Sequence, residues 1–226
     1  MCDRISIPEM TDLWQKTTNW QPNEQQNRQF QQLYEQILVG NSQFNLTRIT
    51  DPTEFWEKHL WDSLRPILPL LQQRQTSAVK AIDIGTGAGF PGIPIAIAFP
   101  SVTISLLDST RKKIAFIDSV IAQLNIANAQ TLTDRAEVIG KKTDHRQTYD
   151  LATIRAVGSA AICAEYTLPL LKSGGLAVLY RGNWTEEEQT ALQSTVKKLN
   201  GELASIDSFT TPLTQSIRHC INLKKL

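Results

Sequence analysis

The sequence predicts an α/β fold: a mostly parallel, doubly wound sheet of seven strands, preceded by a helical N-terminal extension. Three observations carry that prediction. From Val79 to the C-terminus, short apolar runs rich in β-branched residues alternate with amphipathic stretches. The first run opens into a glycine-crowded turn, IDIGTGAGFPG, that lets a ligand approach the main chain. Before Val79, apolar residues recur at helical spacing and no strand pattern intervenes. A chain of 226 residues buries one substantial core rather than two, so we divide it into an extension, 1–75, and an α/β domain, 76–226.

In chain order, Pro22 to Gly40 places Phe30, Leu33, Tyr34, Ile37 and Leu38 on one helical face, with Gly40 and Asn41 as its expected end. After a polar, aromatic loop, SQFNLTRI, Asp51-Pro52 opens a second helix that crowds Phe55, Trp56, Leu60, Trp61 and Leu64 together. Val79–Ile84 and Val102–Leu107 read as buried strands ending in Asp83 and Asp108. Thr110–Leu124 is a helix, Ala129–Asp134 and Tyr149–Ile154 are strands, and Ser159–Leu171 is a helix stopped by Gly174-Gly175. Leu176–Tyr180 is a strand, and Trp184–Leu199 a helix capped by Thr185 with three glutamates in its first turn, where the dipole favours them. Glu202–Ser208 and Arg218–Leu223 complete the sheet.

Net charge is +1, with 41% hydrophobic and 20% charged residues, so any polyanion must be met by local clusters. Apolar runs fall short of a membrane span and the N-terminus lacks a secretory h-region, which predicts a cytoplasmic protein with no membrane partner. Cys2, Cys163 and Cys220 are widely spaced and read as reduced thiols; no metal motif is present. His59 and Asp62 share a helical face, a poor metal pair without a third ligand. A structural hydrogen bond tying the extension to the core is the preferred reading, and His145 and His219 have no evident partners.

The glycine turn discriminates among nucleotides. Ile93 and Pro94 stand where a P-loop needs Lys and Ser/Thr, and Phe90 stands where a dinucleotide fingerprint needs its third glycine. What remains is G-x-G-x-G after Asp83, with Asp108 ending the next strand, a pattern similar to S-adenosylmethionine-dependent methyltransferases. That cofactor has no pyrophosphate to cradle, and its ribose diol suits a carboxylate acceptor. Asp108 also fits a helix cap before Thr110, and Asp83 fits either a turn-pinning carboxylate or a contact to the cofactor's ammonium. The segment after the fourth strand, ATIRAVGS, lacks the Asn/Asp-Pro-Pro-aromatic motif of exocyclic-amine methylation, and no Pro-Cys supplies a nucleophile for carbon methylation. Guanine N7 carries a free lone pair and needs no general base, only in-line positioning and a surface for phosphate.

The motifs IDIGTGAGFPGIPIAI, LLDSTRKKIAFI, RAE at Arg135–Glu137, ATIRAV, FNLTRI and HLWDS resemble the RsmG family, also called GidB, which methylates guanine N7 of small-subunit ribosomal RNA. The resemblance runs from about Asn23 to the C-terminus. It implies a Rossmann-like class I methyltransferase domain that transfers a methyl group from S-adenosyl-L-methionine to 16S rRNA, alone or in the 30S particle; we expect a monomer. It also implies that the cofactor lies against Gly85, Gly87, Gly89 and Phe90, with Asp108 at the ribose, Ala136 and Glu137 beside the adenine, and Arg155 at the mouth of the site. Lys112, Arg135, Arg181 and Arg218 become RNA contacts, and Arg155 and Arg181 the residues that position the reactants. Arg181 departs from the family's usual lysine and has a different hydrogen-bond geometry.

Arg155 and Arg181 follow central strands, so both project toward the ligand edge of the sheet, where phosphate or a cofactor carboxylate binds. The clusters Arg111-Lys112-Lys113 and Lys141-Lys142 suit either RNA backbone or plain solvent. Two rivals stay open: methylation of a small molecule or protein, which needs no RNA, and a non-catalytic cofactor-binding partner in ribosome assembly.

Overall fold

The computed structural model describes residues 6–72 and 78–226; Cys2 and the expected junction between 75 and 76 lie outside the described residues. The extension begins with α1 (Thr11–Thr18) and α2 (Glu24–Phe44). Asn23 and Gln26 cap α2 reciprocally, each side chain accepting the other's backbone N–H at 2.9 Å. Gln26 Nε2 also donates to the carbonyls of Ile97 and Ala98 at 3.1 and 3.0 Å, which anchors the start of α2 on the α/β domain. The helix does not stop at Gly40-Asn41 as expected. Gly40 is a packing glycine, since a Cβ there would stand 2.4 Å from the Phe116 ring, and the left-handed Asn45 ends the helix instead.

Asp51 caps α3 (Pro52–Phe55) by accepting from the N–H groups of Thr53 and Glu54, both at 2.9 Å. The chain then widens into a π-helical turn, Trp56–Trp61, before α4 (Asp62–Leu64) and α5 (Leu68–Gln72). Such turns shift side-chain directions off the α-helical row. Here Glu57, His59 and Asp62 reach three different partners, while Phe55, Trp56, Leu60, Trp61 and Leu64 fill the core.

The α/β domain follows as β1 (Val79–Ile84), α6 (Gly92–Ala98), β2 (Val102–Asp108), α7 (Arg111–Gln123), β3 (Ala129–Thr133), α8 (Ala136–Ile139), β4 (Tyr149–Arg155), α9 (Ala160–Thr167), β5 (Leu171–Arg181), α10 (Glu186–Lys198), β6 (Gly201–Thr210) and β7 (Ile217–Lys225). The sheet order is β3-β2-β1-β4-β5-β7-β6, with β1 to β5 parallel and β7 antiparallel to both its neighbours. The order reverses between β1 and β4, and ligands of open α/β sheets bind outside the strand ends at such a point.

The helix after β4 ends earlier than expected, passing through a 3₁₀ turn, Leu168–Leu170, directly into β5. Gly174 and Gly175 lie inside that strand, where the pairing with β4 slips register between Tyr149 and Leu151. One face of the sheet packs on α6, α7 and the extension in a shared apolar core; the other packs on α9 and α10. Among the described residues, no helix is long and apolar enough to cross a membrane.

Candidate active site

The turn after β1 is held by two carboxylates. Asp83 is fully buried, its Oδ2 accepting the Gly92 N–H at 3.0 Å and its Oδ1 the Thr153 hydroxyl at 2.8 Å. It ties the turn to β4, in line with the pinning reading. Burial pushes its carboxyl up, against the lowering pull of these hydrogen bonds. Asp108 accepts the Gly87 N–H at 3.1 Å on one oxygen and the Thr110 N–H at 2.8 Å on the other, with Lys113 Nζ 3.9 Å away. Asp108 thus braces the glycine turn, but the expected cap role is not met: Thr110 is the N-cap residue of α7, no side chain caps that helix, and Asp108 accepts only from the N–H of Thr110 itself. A carboxylate offers about four lone-pair sites, so two backbone bonds leave Asp108 acceptor capacity for a diol.

Beside this brace lies a cavity of 280 Å³ lined by Ile84, Gly85, Asp108, Ala136, Glu137 and Val157, with Arg135 at its edge. A diol acceptor at one wall and apolar side chains at another fit a nucleoside, so the residues present suit the adenosine part of the expected cofactor. Gly87 and Gly89 shape the wall from behind: Gly87, at φ 63, donates to Asp108, and a Cβ on Gly89 would stand 2.3 Å from Ile93 Cδ1. The Phe90 ring points elsewhere. It is 5% exposed and stacks on His59, centroids 4.2 Å apart and planes 8° from parallel, with the Arg155 guanidinium 5.9 Å from its centroid.

A second cavity, of 360 Å³, opens where β4, β5 and β7 meet the extension, lined by Asp62, Arg155, Tyr180, Arg181, Phe209 and Arg218. Arg155 Nη1 donates to Asp62 Oδ2 and to the Lys58 carbonyl, each at 3.2 Å. Arg218 Nε lies 3.7 Å from Asp62 Oδ1. Arg181 donates to the Gly158 carbonyl at 2.6 Å and pairs with Glu188 of α10. Burial pushes the Asp62 carboxyl up while the two arginines oppose it. The Tyr180 hydroxyl, raised well above its ordinary value by burial, donates to the Ser63 carbonyl at 2.7 Å. Successive residues join the two cavities, Ala156 lining this one and Val157 the first. A larger cavity of 790 Å³, between the N-terminal segment and α2, contains none of the sequence-predicted site residues.

The structure thus gathers Gly85, Asp108, Arg135, Ala136 and Glu137 at one cavity and Arg155, Arg181 and Arg218 at the other, whereas Lys112 projects from the exposed face of α7. Arg135 is 75% exposed, 3.7 Å from Glu137. His59 bonds to Thr47 within the extension, at 3.0 Å from Nε2, and reaches the α/β domain through its stack on Phe90; of the two residues, Asp62 makes the polar tie to that domain. His145 and His219 do have partners, the Tyr149 hydroxyl at 2.7 Å and the Gly182 carbonyl at 3.1 Å. Cys163 and Cys220 are buried thiols raised by burial. Among the described residues, no group of His, Cys, Asp and Glu is placed to hold a metal.

Sequence reasoning expected the His59–Asp62 face to tie the extension to the core, but it named neither the partner of Asp62 nor Glu57. Asp62 meets Arg155 across 93 positions. Glu57 is 1% exposed and accepts the Leu213 and Thr214 N–H groups at 2.6 and 3.0 Å and the Thr214 hydroxyl at 2.6 Å, fixing the β6–β7 turn on the extension. No local spacing signals either pairing; the only hint is the density of polar residues on an otherwise apolar helix.

The family model described as rRNA small subunit methyltransferase G, GidB, matches residues 26–220. A protein of Nostoc punctiforme named ribosomal RNA small subunit methyltransferase G is 62% identical across 97% of this chain and 91% of its own. One of the same name from Microcystis aeruginosa is 52% identical across 97% of this chain and 99% of its own. Among solved structures, a 16S rRNA adenine-N(1) methyltransferase variant with cosubstrate SAM from Catenulisporales acidiphilia superposes with TM-score 0.55 at 16% identity, over 70% of this chain and 90% of that one. The TYW2 protein of M. jannaschii in complex with AdoMet gives 0.53 at 12%, over 70% and 76%. At those identities the structures establish the class I methyltransferase fold alone. With a family model matching nearly all of the α/β domain and much of the extension, and relatives more than half identical over almost its full length, the chain belongs to the GidB family of small-subunit rRNA methyltransferases.

Proposed function

We propose that this protein transfers a methyl group from S-adenosyl-L-methionine to N7 of a guanine in 16S ribosomal RNA. The observation that carries this reading is the pair of joined cavities at the carboxyl ends of β1, β4 and β5, one walled by carboxylates and the other by arginines. The first suits a neutral ribose and base; the second suits a nucleotide with its phosphates.

When bound, the cofactor supplies an electrophilic sulfonium methyl. Asp108 holds the ribose diol, and Ala136 and Glu137 flank the adenine. Gly85, Gly87 and Gly89, with the main chain of Phe90, would hold the methionine portion, and Arg155 would meet its carboxylate. Arg181 and Arg218, with Lys112 and Arg135 further out, neutralise RNA phosphate and orient the base for in-line approach. No side chain has to take a proton, because N7 attacks with its free lone pair. That agrees with a cavity whose tyrosine and carboxylate are already engaged, Tyr180 by Ser63 and Asp62 by Arg155. The extension acts as the second wall of the acceptor cavity, packed on the α/β domain of 76–226. The protein works in the cytoplasm as a monomer, on naked RNA or the 30S particle.

The test is to incubate the protein with unmethylated 30S subunits and methyl-labelled cofactor and to map the label. Label at guanine N7 is the expected result. Label on a ring carbon or an exocyclic amine, or turnover that needs no RNA, overturns the reading.

A further inference from the structure

The acceptor cavity holds one acidic side chain among its lining residues, Asp62, set between Arg155 and Arg218. Its two oxygens differ. Oδ2 accepts from Arg155 Nη1 at 3.2 Å, whereas Oδ1 lies 3.7 Å from Arg218 Nε, beyond hydrogen-bond distance. Oδ1 therefore keeps acceptor capacity at the wall of a cavity otherwise rich in donors. The Asp62 side chain is 14% exposed, so that capacity meets the cavity rather than bulk water.

Base chemistry decides what fits there. A guanine that turns N7 toward the cofactor leaves N1–H and the 2-amino group, on the neighbouring Watson–Crick edge, free to meet another wall of the cavity. Both groups on that edge are donors, and a carboxylate is the side chain that accepts from them; adenine presents a bare N1 acceptor there instead. Asp62 belongs to the extension and lines this cavity beside Arg155 of β4 and Arg218 of β7. The arginines hold the carboxylate in place, and Phe209, half-buried with Arg65 over its ring at 5.2 Å, supplies an apolar wall for the purine. A site built to hydrogen-bond a polar group rejects analogues that lack it far more strongly than an apolar pocket does.

Resting on the function proposed above, we infer that Asp62 reads the N1–H and 2-amino edge of the target guanine and so sets the enzyme's choice of base. The test first maps the methylated nucleotide with the wild-type protein, then compares 30S subunits reconstituted with guanosine or inosine at that position. Inosine keeps N7, O6 and N1–H and lacks only the 2-amino group. Wild type prefers guanosine by roughly 10- to 100-fold in kcat/KM, the worth of a hydrogen bond to a charged acceptor. Asp62→Asn keeps an oxygen for Arg155 but presents an amide donor to the base. It loses roughly 10- to 100-fold on guanosine and shows almost no difference between the two particles, while binding cofactor normally by calorimetry.

A variant that retains the wild-type guanosine preference, whatever its overall rate, overturns the inference and leaves Asp62 as a counter-ion for the arginines. A wild-type enzyme indifferent to inosine overturns it without any variant. If the guanosine particle takes no label at N7, the proposed function fails first and this inference with it.

Discussion

The two cavities at the carboxyl edge of the sheet are made of different materials. Around the first, backbone N–H groups of Gly87 and Thr110 converge on Asp108, and most of the lining comes from the ends of β1, β2 and β3, with Val157 and Tyr166 closing it. Around the second, side chains from α4, β4, β5 and β7 converge, and each arginine is held by a carboxylate or a carbonyl. Backbone geometry suits a ligand that never changes, since main-chain donors have no rotamers to lose. Paired charges suit a polyanion: the counter-ions keep long side chains ordered before the phosphates arrive, at the cost of a competitor for each arginine.

Gly87→Val breaks the first side and leaves the second. The residue sits at φ 63, where a β-branched side chain is strained, and its added atoms enter open space above the turn, the nearest atom to a Cβ being Gly85 O at 3.8 Å. Backbone strain and loss of the Asp108 brace together cost roughly 100-fold or more in cofactor affinity, measured by calorimetry. The melting temperature falls by a few degrees, from the strain at positive φ and not from any displacement of the core. Arg181→Ala is the converse, with a smaller effect. Cofactor affinity stays unchanged, while kcat/KM for 30S subunits falls roughly 10-fold and the salt dependence of RNA binding loses about one unit of slope. Glu188, left without its partner, remains in the first turn of α10, where the helix dipole favours it. If both variants bind cofactor as wild type does, the division of labour between the cavities is wrong.

That division also explains what the sequence disclosed. The strand–turn–helix at Val79–Ala98 is contiguous, so periodicity and glycine spacing mark it, and Asp108 is found by counting to the end of the next strand. All seven strands are legible for the same reason, each being a local pattern. Gly40 and Gly174-Gly175 misled because glycine has several uses: one makes room for Phe116, and the others let β5 slip register, where a helix stop was expected. The acceptor cavity was legible only in part. Strand ends placed Arg155 and Arg181 on the correct edge, but Asp62, Glu57 and Phe209 meet their partners through tertiary folding of a π-helical turn and an antiparallel hairpin. No local rule encodes those distances.

The smallest effect probes the seam between the two regions, where His59 stacks on Phe90 of the glycine turn and faces Arg155 of the acceptor cavity. Burial first, then the positive charges of Arg155 and Lys58, hold its imidazole down from 6.5 to about 3. A depressed folded-state value means that the native protein keeps His59 neutral while the unfolded chain protonates it. The contribution to stability is thus complete above about pH 6.5 and is lost progressively as the pH falls toward 3. Between pH 7 and 5.5 this amounts to roughly 1 kcal/mol. The buried carboxyls of Asp62 and Asp83, pushed up rather than down, titrate with the opposite sign, so the bare stability curve mixes both. His59→Phe keeps a ring over Phe90 and removes the one titration. Urea melts of the two proteins at pH 7 and 5.5 isolate the difference: the variant loses less stability than wild type on acidification by that same roughly 1 kcal/mol. Parallel losses in the two proteins would mean that His59 gains its proton in the fold as readily as in the unfolded chain, and that the seam is open to water.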